Sequence, residues 1–186
     1  MIVRSALAGV ALALVLAAPT RAPAATPPTT RVFLARHAER MVLPGDADPP
    51  LTAAGARRAA TLGRLLRGAD VAAVFTTQFR RARATADSVA AATHAPVEVV
   101  HSDSSAALAR IVRTRFAGRT VVIVGHSDSL PHVVAELGWE GAEAVEGWSY
   151  DDLNMLEWRG DEPPQLVRLH YGGAADTTGM HGPPPQ

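Results

Sequence analysis

The chain has no cysteine and no lysine. The first absence excludes a disulfide framework, thiolate metal sites and a lipid-bearing cysteine at a processing site. The second leaves arginine as all 18 basic residues. A coding bias toward Ala and Arg accounts for that, so arginine as such says little about function. Aromatic residues are scarce as well. Between residues 25 and 119 only Phe33, Phe75, Phe79 and Phe116 are aromatic, mostly in apolar settings. That half is the basic one, with 14 Arg against 7 acids, whereas residues 120 to 186 carry 2 Arg against 11 acids. A basic half can mean nucleic acid, but stacking and base-reading surfaces need aromatics among the cations. A small anionic ligand fits better than a polyanion. No apolar run reaches the ~20 residues that span a bilayer.

What is present begins with a leader. Met1 to Arg4 carry one positive charge, Ala6–Ala18 are apolar, and Ala22-Pro23-Ala24 is a small-residue cleavage pattern. In order and proportion this is a secretory signal peptide over residues 1–24. The reading implies an exported protein, periplasmic or secreted, with no stable membrane association after cleavage; a retained anchor is the weaker alternative. Removal leaves 162 residues, enough for one domain with a sizeable core. At 47% hydrophobic and 19% charged residues the composition is globular. Residues 25–30 read as an extended leader, 31–170 as the folded domain, and 171–186, rich in Gly and Pro, as a disordered tail.

Inside the domain, strand-like runs occur at Arg31–Ala35, Val71–Thr76, Val97–Val100, Thr120–Val124, Leu153–Trp158 and Gln165–His170. Helical patterns separate the first four. Thr52 is placed to N-cap a helix whose face is Ala56, Ala59, Ala60, Gly63 and Leu66, with Gly68 as its stop and Arg57, Arg58, Arg64 and Arg67 on its wet side. Phe79–Thr93 and Ser105–Phe116 are two more helix candidates. Alternation of this kind predicts an α/β sandwich on a largely parallel sheet. The last two strands, joined by "RGDEPP", predict an antiparallel hairpin on one edge. Ligands of such sheets collect at the carboxyl ends of the strands. There Arg36-His37 follows the first strand and Gly125-His126 follows the most apolar one. Alone, an Arg-His pair is more simply a strand end surfacing into water; two such ends on one edge favour a site.

The ordered segments "LARHAER", "LTAAGARRA", "TTQFRRARATA" and "VVIVGHSDSLP" resemble the histidine phosphatase superfamily over roughly residues 31 to 170. The resemblance implies a phosphoglycerate mutase-like three-layer α/β/α sandwich with a mostly parallel six-stranded sheet and an antiparallel edge. It implies His37 as nucleophile, Arg36 and Arg81 as phosphate ligands, and His126 as the second active-site histidine. The resemblance selects Arg81 among Arg80, Arg81 and Arg83, because the family's arginine lies four residues before a threonine, here Thr85. The chemistry agrees: phosphoryl transfer asks mainly for positioning and for charge stabilisation on the equatorial oxygens, and two guanidiniums with an imidazole supply both without a metal or other cofactor. Cationic surroundings are expected to keep His37 unprotonated. Backbone N–H groups after Gly125 are possible further donors.

Many members carry a glutamate acid in an insertion after the second helix, and here that region is only "HAPVEVVHSDSSAALARI". The candidates left for general acid are Asp128 and Asp103. Glu39 reads as structural or as an ion-pair partner of Arg40. His94, His101, His132, His170 and His181 receive no role, and Trp139, Trp148 and Trp158 read as packing. The expectation is an exported, metal-independent phosphatase acting on a small phosphorylated substrate or a phosphoprotein. Its rivals are a mutase-type phosphotransferase and a non-catalytic phosphate-binding protein.

Overall fold

The computed structural model describes residues 26–141 and 148–173. The expected signal peptide at 1–24 and the tail beyond Gly173 lie outside the described residues. The elements run β1 (Thr29–Arg36), α1 (Ala53–Leu66), β2 (Val71–Thr76), α2 (Arg80–Thr93), β3 (Val97–Val99), α3 (Ser105–Arg115), β4 (Thr120–Gly125), α4 (Leu130–Glu136), β5 (Asp152–Arg159) and β6 (Gln165–His170). Strand order is β3-β2-β4-β1-β5-β6. The first four strands are parallel, and β5 and β6 add the antiparallel edge. Among the described residues no helix is long and apolar enough to cross a membrane.

The layering follows from side-chain alternation along the strands. Val32, Leu34, Phe75, Val121 and Ile123 point to one face, where Leu108 and Val112 of α3 and Val133 and Val134 of α4 cover them. Ala35, Val74, Val122 and Val124 point to the other, against Leu62 and Leu66 of α1 and Ala82, Ala86 and Val89 of α2. Every residue of β4 is buried because it lies between parallel neighbours with helices on both faces. The expected sandwich is therefore present, with β5 and β6 as the expected hairpin.

Several expectations need correction. β1 starts two residues early: Thr29 and Thr30 are strand, and the Thr30 hydroxyl accepts the Gly118 N–H at 2.8 Å. Tyr171, assigned to the tail, is buried, and its N–H donates to the Asp151 carbonyl at 2.9 Å, so the folded domain continues past His170. Thr52 does cap α1, accepting the Gly55 N–H at 2.9 Å, but the inward face is Gly55, Arg58, Ala59, Leu62, Gly63 and Leu66. Arg58 is not on the wet side. It is 7% exposed, and its Nε donates to Glu39 Oε1 at 2.7 Å, which also replaces Arg40 as the partner of Glu39. Arg58 Nη1 reaches the Tyr171 carbonyl at 3.0 Å and the Gly173 carbonyl at 3.2 Å. A pattern that counts Arg as outward cannot see this, because the carboxylate that admits it comes from a distant segment.

Two glycines bring α1 close to its neighbours. A Cβ on Gly63 would lie 2.6 Å from the Ser88 carbonyl oxygen, so glycine lets α1 and α2 approach. A Cβ on Gly55 would overlap the Glu39 carbonyl oxygen, just behind the Arg36-His37 strand end. Gly68 faces open space. Gly55→Ala is expected to cost about 2 to 3 kcal/mol, as an overpacked contact against backbone that cannot yield, whereas Gly68→Ala stays within about 1 kcal/mol of the parent. Urea unfolding of the two variants checks this; equal stabilities would mean that the Glu39 turn relaxes freely.

Candidate active site

The pairing of β1 with β4 sets Arg36 beside Gly125, and the His37 N–H donates to the Gly125 carbonyl at 2.9 Å. The residues that follow the two strands therefore stand next to each other. The rings of His37 and His126 lie 5.1 Å apart, centroid to centroid, in an edge-on arrangement. Helix α2 supplies the third group: Arg81 donates from Nε to His37 Nε2 at 3.2 Å. Thr85, one turn further along, donates to the Arg81 carbonyl at 2.9 Å and accepts the Ala38 N–H at 3.1 Å. The four-residue spacing from Arg81 to Thr85 thus puts both on one helix face, Thr85 gripping the turn after His37 and Arg81 reaching over it. Arg80 and Arg83 are exposed, as expected.

His37 is 3% exposed. Its Nδ1–H donates to the Ala38 carbonyl at 2.7 Å, which fixes the tautomer and leaves the Nε2 lone pair toward Arg81. Burial lowers its pKa to about 3, with His126, Arg36 and Arg81 pushing the same way and the Ala38 carbonyl opposing. The neutral ring was expected from cationic surroundings; desolvation is the larger cause. His126 is lowered to about 4, again chiefly by burial and then by Arg81. Its Nε2 is 2.8 Å from the Thr77 hydroxyl, and the Phe79 ring stands edge-on to it at 5.1 Å. Of the backbone donors expected after Gly125, the His126 N–H is engaged by Ser129 Oγ at 3.3 Å.

Arg36, His37, Arg81 and His126 form one end of a cleft of about 500 Å³. Arg40 and Phe79 flank it, and Ser102, Asp103, Asp128 and His132 line the rest. His132, given no role from sequence, is thus at the site. Asp103 is exposed and bound to His101 Nδ1 at 2.6 Å and to the Ser104 hydroxyl at 3.2 Å. The His101 hydrogen bond holds its pKa below the usual carboxylate range. The cluster of Asp151, Asp152 and His170 lies at the β5–β6 end, and none of its members lines the cleft.

Sequence reasoning missed two neighbours. Asp48 accepts the Arg80 N–H with both carboxylate oxygens, at 2.9 and 3.1 Å, and pairs with Arg81 Nη1 at 3.3 Å. A signal existed: the residue before α2 is Phe79, which has no capping atom, so the helix start needs an acceptor from elsewhere. Burial lowers the Arg81 pKa, and Asp48 opposes that. The second is Tyr150, whose ring lies 4.3 Å from Arg36 Cζ and 5.7 Å from the His37 ring. Nothing local marks it. Trp148 is buried packing as expected, but its carbonyl also accepts from Arg36 Nη1 at 3.1 Å.

Comparison with known proteins agrees with this geometry. Residues 32–103 match the model of the histidine phosphatase superfamily (branch 1). No curated protein sequence matches the chain. Among solved structures, SixA from Nakamurella multipartitia is similar at 24% identity and a TM-score of 0.61, over 78% of this chain and 98% of that one. The protein histidine phosphatase SixA complexed with tungstate aligns at 19% identity and a TM-score of 0.63, over 75% and 96% of the two chains. A mycobacterial glucosyl-3-phosphoglycerate phosphatase aligns at 16% identity and a TM-score of 0.61, over 77% and 98%. At these identities the structures establish the shared fold, and the matched segment carries the Arg36-His37 strand end, α1 and the Arg81 helix on it. The segment that supplies Arg36, His37 and Arg81 is thus the part of the chain that matches the histidine phosphatase superfamily.

Proposed function

We propose that the protein is an exported phosphatase that hydrolyses phosphate monoesters, phosphohistidine or anhydrides through a phosphohistidine on His37, without a metal ion. The observation that carries this is the convergence of a neutral, tautomer-fixed His37 with Arg36, Arg81 and His126 at one end of the cleft. In the first step the Nε2 lone pair bonds to phosphorus as the bond to the leaving oxygen or nitrogen breaks, and a cleft acid protonates the leaving atom. Water then attacks phosphorus, giving a proton back to the deprotonated acid, the P–N bond breaks, and phosphate leaves with His37 restored. Arg36 and Arg81 balance charge on the equatorial oxygens. The substrates named for the neighbouring structures, protein phosphohistidine and a phosphorylated glycoside, support hydrolysis over a mutase reaction. The open cleft suits either size of substrate.

A phosphoryl group on imidazole nitrogen is labile to acid and stable to base. Rapid quench with labelled substrate is expected to trap such an adduct on the peptide containing His37. His37→Ala should lose several orders of magnitude in rate, since the covalent route vanishes with its nucleophile, while Arg81→Ala keeps weaker turnover with poor phosphate binding. Full activity in His37→Ala, or an adduct on another residue, overturns the mechanism.

For the acid, Asp128 is favoured over Asp103, because the hydrogen bond from His101 stabilises the ionised form of Asp103. Asp128→Asn should slow alkyl phosphates far more than aryl phosphates, whose anions leave unaided. Equal slowing of both removes Asp128 from the role.

Export rests on Arg4, the Ala6–Ala18 run and Ala22-Pro23-Ala24. Protein recovered from the cell envelope or medium is expected to have the mass of a chain lacking its leader; a chain still beginning at Met1 in the membrane fraction would show an anchor instead.

A further inference from the structure

We infer that Tyr150 is a positioning residue, whose ring holds the Arg36 guanidinium at the phosphate end of the cleft and covers the His37 imidazole. The inference rests on the phosphatase reading above and assigns a part of that site to a segment remote from its motifs. Antiparallel pairing of β5 with β1 sets Leu153 beside Ala35. The residues entering β5 therefore reach the sheet edge where Arg36 and His37 leave it. Tyr150 is 2% exposed there, with Arg36 Cζ 4.3 Å from its ring centroid and the His37 ring at 5.7 Å.

The partners of three arginines around the site explain what the ring does. Arg58 is neutralised by Glu39 at 2.7 Å, and Arg81 is shared with Asp48 at 3.3 Å. Arg36 has no carboxylate partner among the described residues; it is held by the Trp148 carbonyl at 3.1 Å and by the Tyr150 face. An arginine tied to a carboxylate must give that partner up to take a phosphate. A π face and a carbonyl fix the same group without neutralising it. Arg36 thus keeps its charge for the incoming anion, and its buried Nε, which has no partner among the described residues, is a donor in reserve.

The hydroxyl of Tyr150 is also buried without a partner among the described residues. An unsatisfied hydroxyl does not help packing, so the ring is the working part and phenylalanine should reproduce it. The other charged or titratable groups around His37 are Arg81 from α2, His126 from the end of β4 and Arg36 on its own strand, with Asp48 behind Arg81 and Arg40, Asp103, Asp128 and His132 along the same cleft.

The test measures vanadate binding by titration calorimetry, the His37 protonation state by nitrogen NMR across pH, and thermal unfolding, for the parent, Tyr150→Phe and Tyr150→Leu. Tyr150→Leu is expected to weaken vanadate binding about tenfold, the order of a desolvated cation–π contact. It should also raise the His37 pKa from about 3 toward the ordinary histidine value, as water reaches the ring. Tyr150→Phe restores both. If Tyr150→Leu does not fold, Tyr150→Met takes its place. A folded Leu or Met variant with parental vanadate affinity and parental His37 titration overturns the inference while leaving the phosphatase reading intact. A Phe variant as impaired as Leu overturns it too, since the hydroxyl would then be the contact. A parent chain that does not bind vanadate sinks the phosphatase reading and this inference with it.

Discussion

The register between β1 and β4 is the constraint on which the site depends. Because Arg36 lies opposite Gly125 and the His37 N–H closes on the Gly125 carbonyl, the two histidines are set side by side before any side-chain contact is considered. A slip of one residue in β1 would flip its side chains to the opposite faces and break the pairing that sets His37 beside His126. The slip is opposed by the alternation of Val32, Leu34, Ala35, Val122 and Val124 between two filled apolar layers, where a shifted strand would exchange side chains of different size and leave gaps in one layer and clashes in the other. The site is thus positioned by the same hydrophobic burial that forms the sheet.

That position also sets the chemistry of His37. A histidine in water is a poor nucleophile below its ordinary pKa because its lone pair carries a proton. Here removal from water disfavours the imidazolium, and the neighbouring guanidiniums add to the effect. The carbonyl of Ala38 opposes it, yet it is needed, since it holds the one ring proton on Nδ1 and leaves Nε2 unprotonated. The neutral ring has a folding cost: it keeps its lone pair, while between about pH 3 and the ordinary value of 6.5 the unfolded chain takes up a proton that the folded one refuses. Stability therefore falls as pH drops through that window.

The six strands, the mostly parallel sheet with its antiparallel edge and the two strand ends carrying His37 and His126 were legible in the sequence, because each rests on a local pattern of apolar runs, a capping threonine and Arg-His or Gly-His after a strand; Arg81 was picked out by the resemblance of its helix, and the strand order was not read. What was not legible depends on distant segments meeting. Arg58 looks like a wet-face residue until Glu39 is brought to it by the turn that Thr52 and Gly55 clasp. Asp48 left a trace in the missing cap before Arg80, a local deficit filled from another loop. Tyr150 left none. Its place follows from the antiparallel pairing of β5 with β1, and the hairpin was readable while its register was not. Tyr171 was hidden by the glycines after it, which read as tail although the ring itself packs in the core.

Asp48 serves α2 as a cap through the Arg80 N–H, whatever Arg81 does, so its hold on Arg81 can loosen without unravelling the helix. A carboxylate at 3.3 Å from one nitrogen of the fork is a weak competitor for a phosphate able to engage two. Glu39 differs: with Arg58 it is buried, and parting them would leave two uncompensated charges in the interior. The protein therefore carries one buried acid–arginine pair that fastens the turn after His37 and one more exposed pair on Arg81. Both acids lie between β1 and α1, and the difference between them is burial rather than residue type.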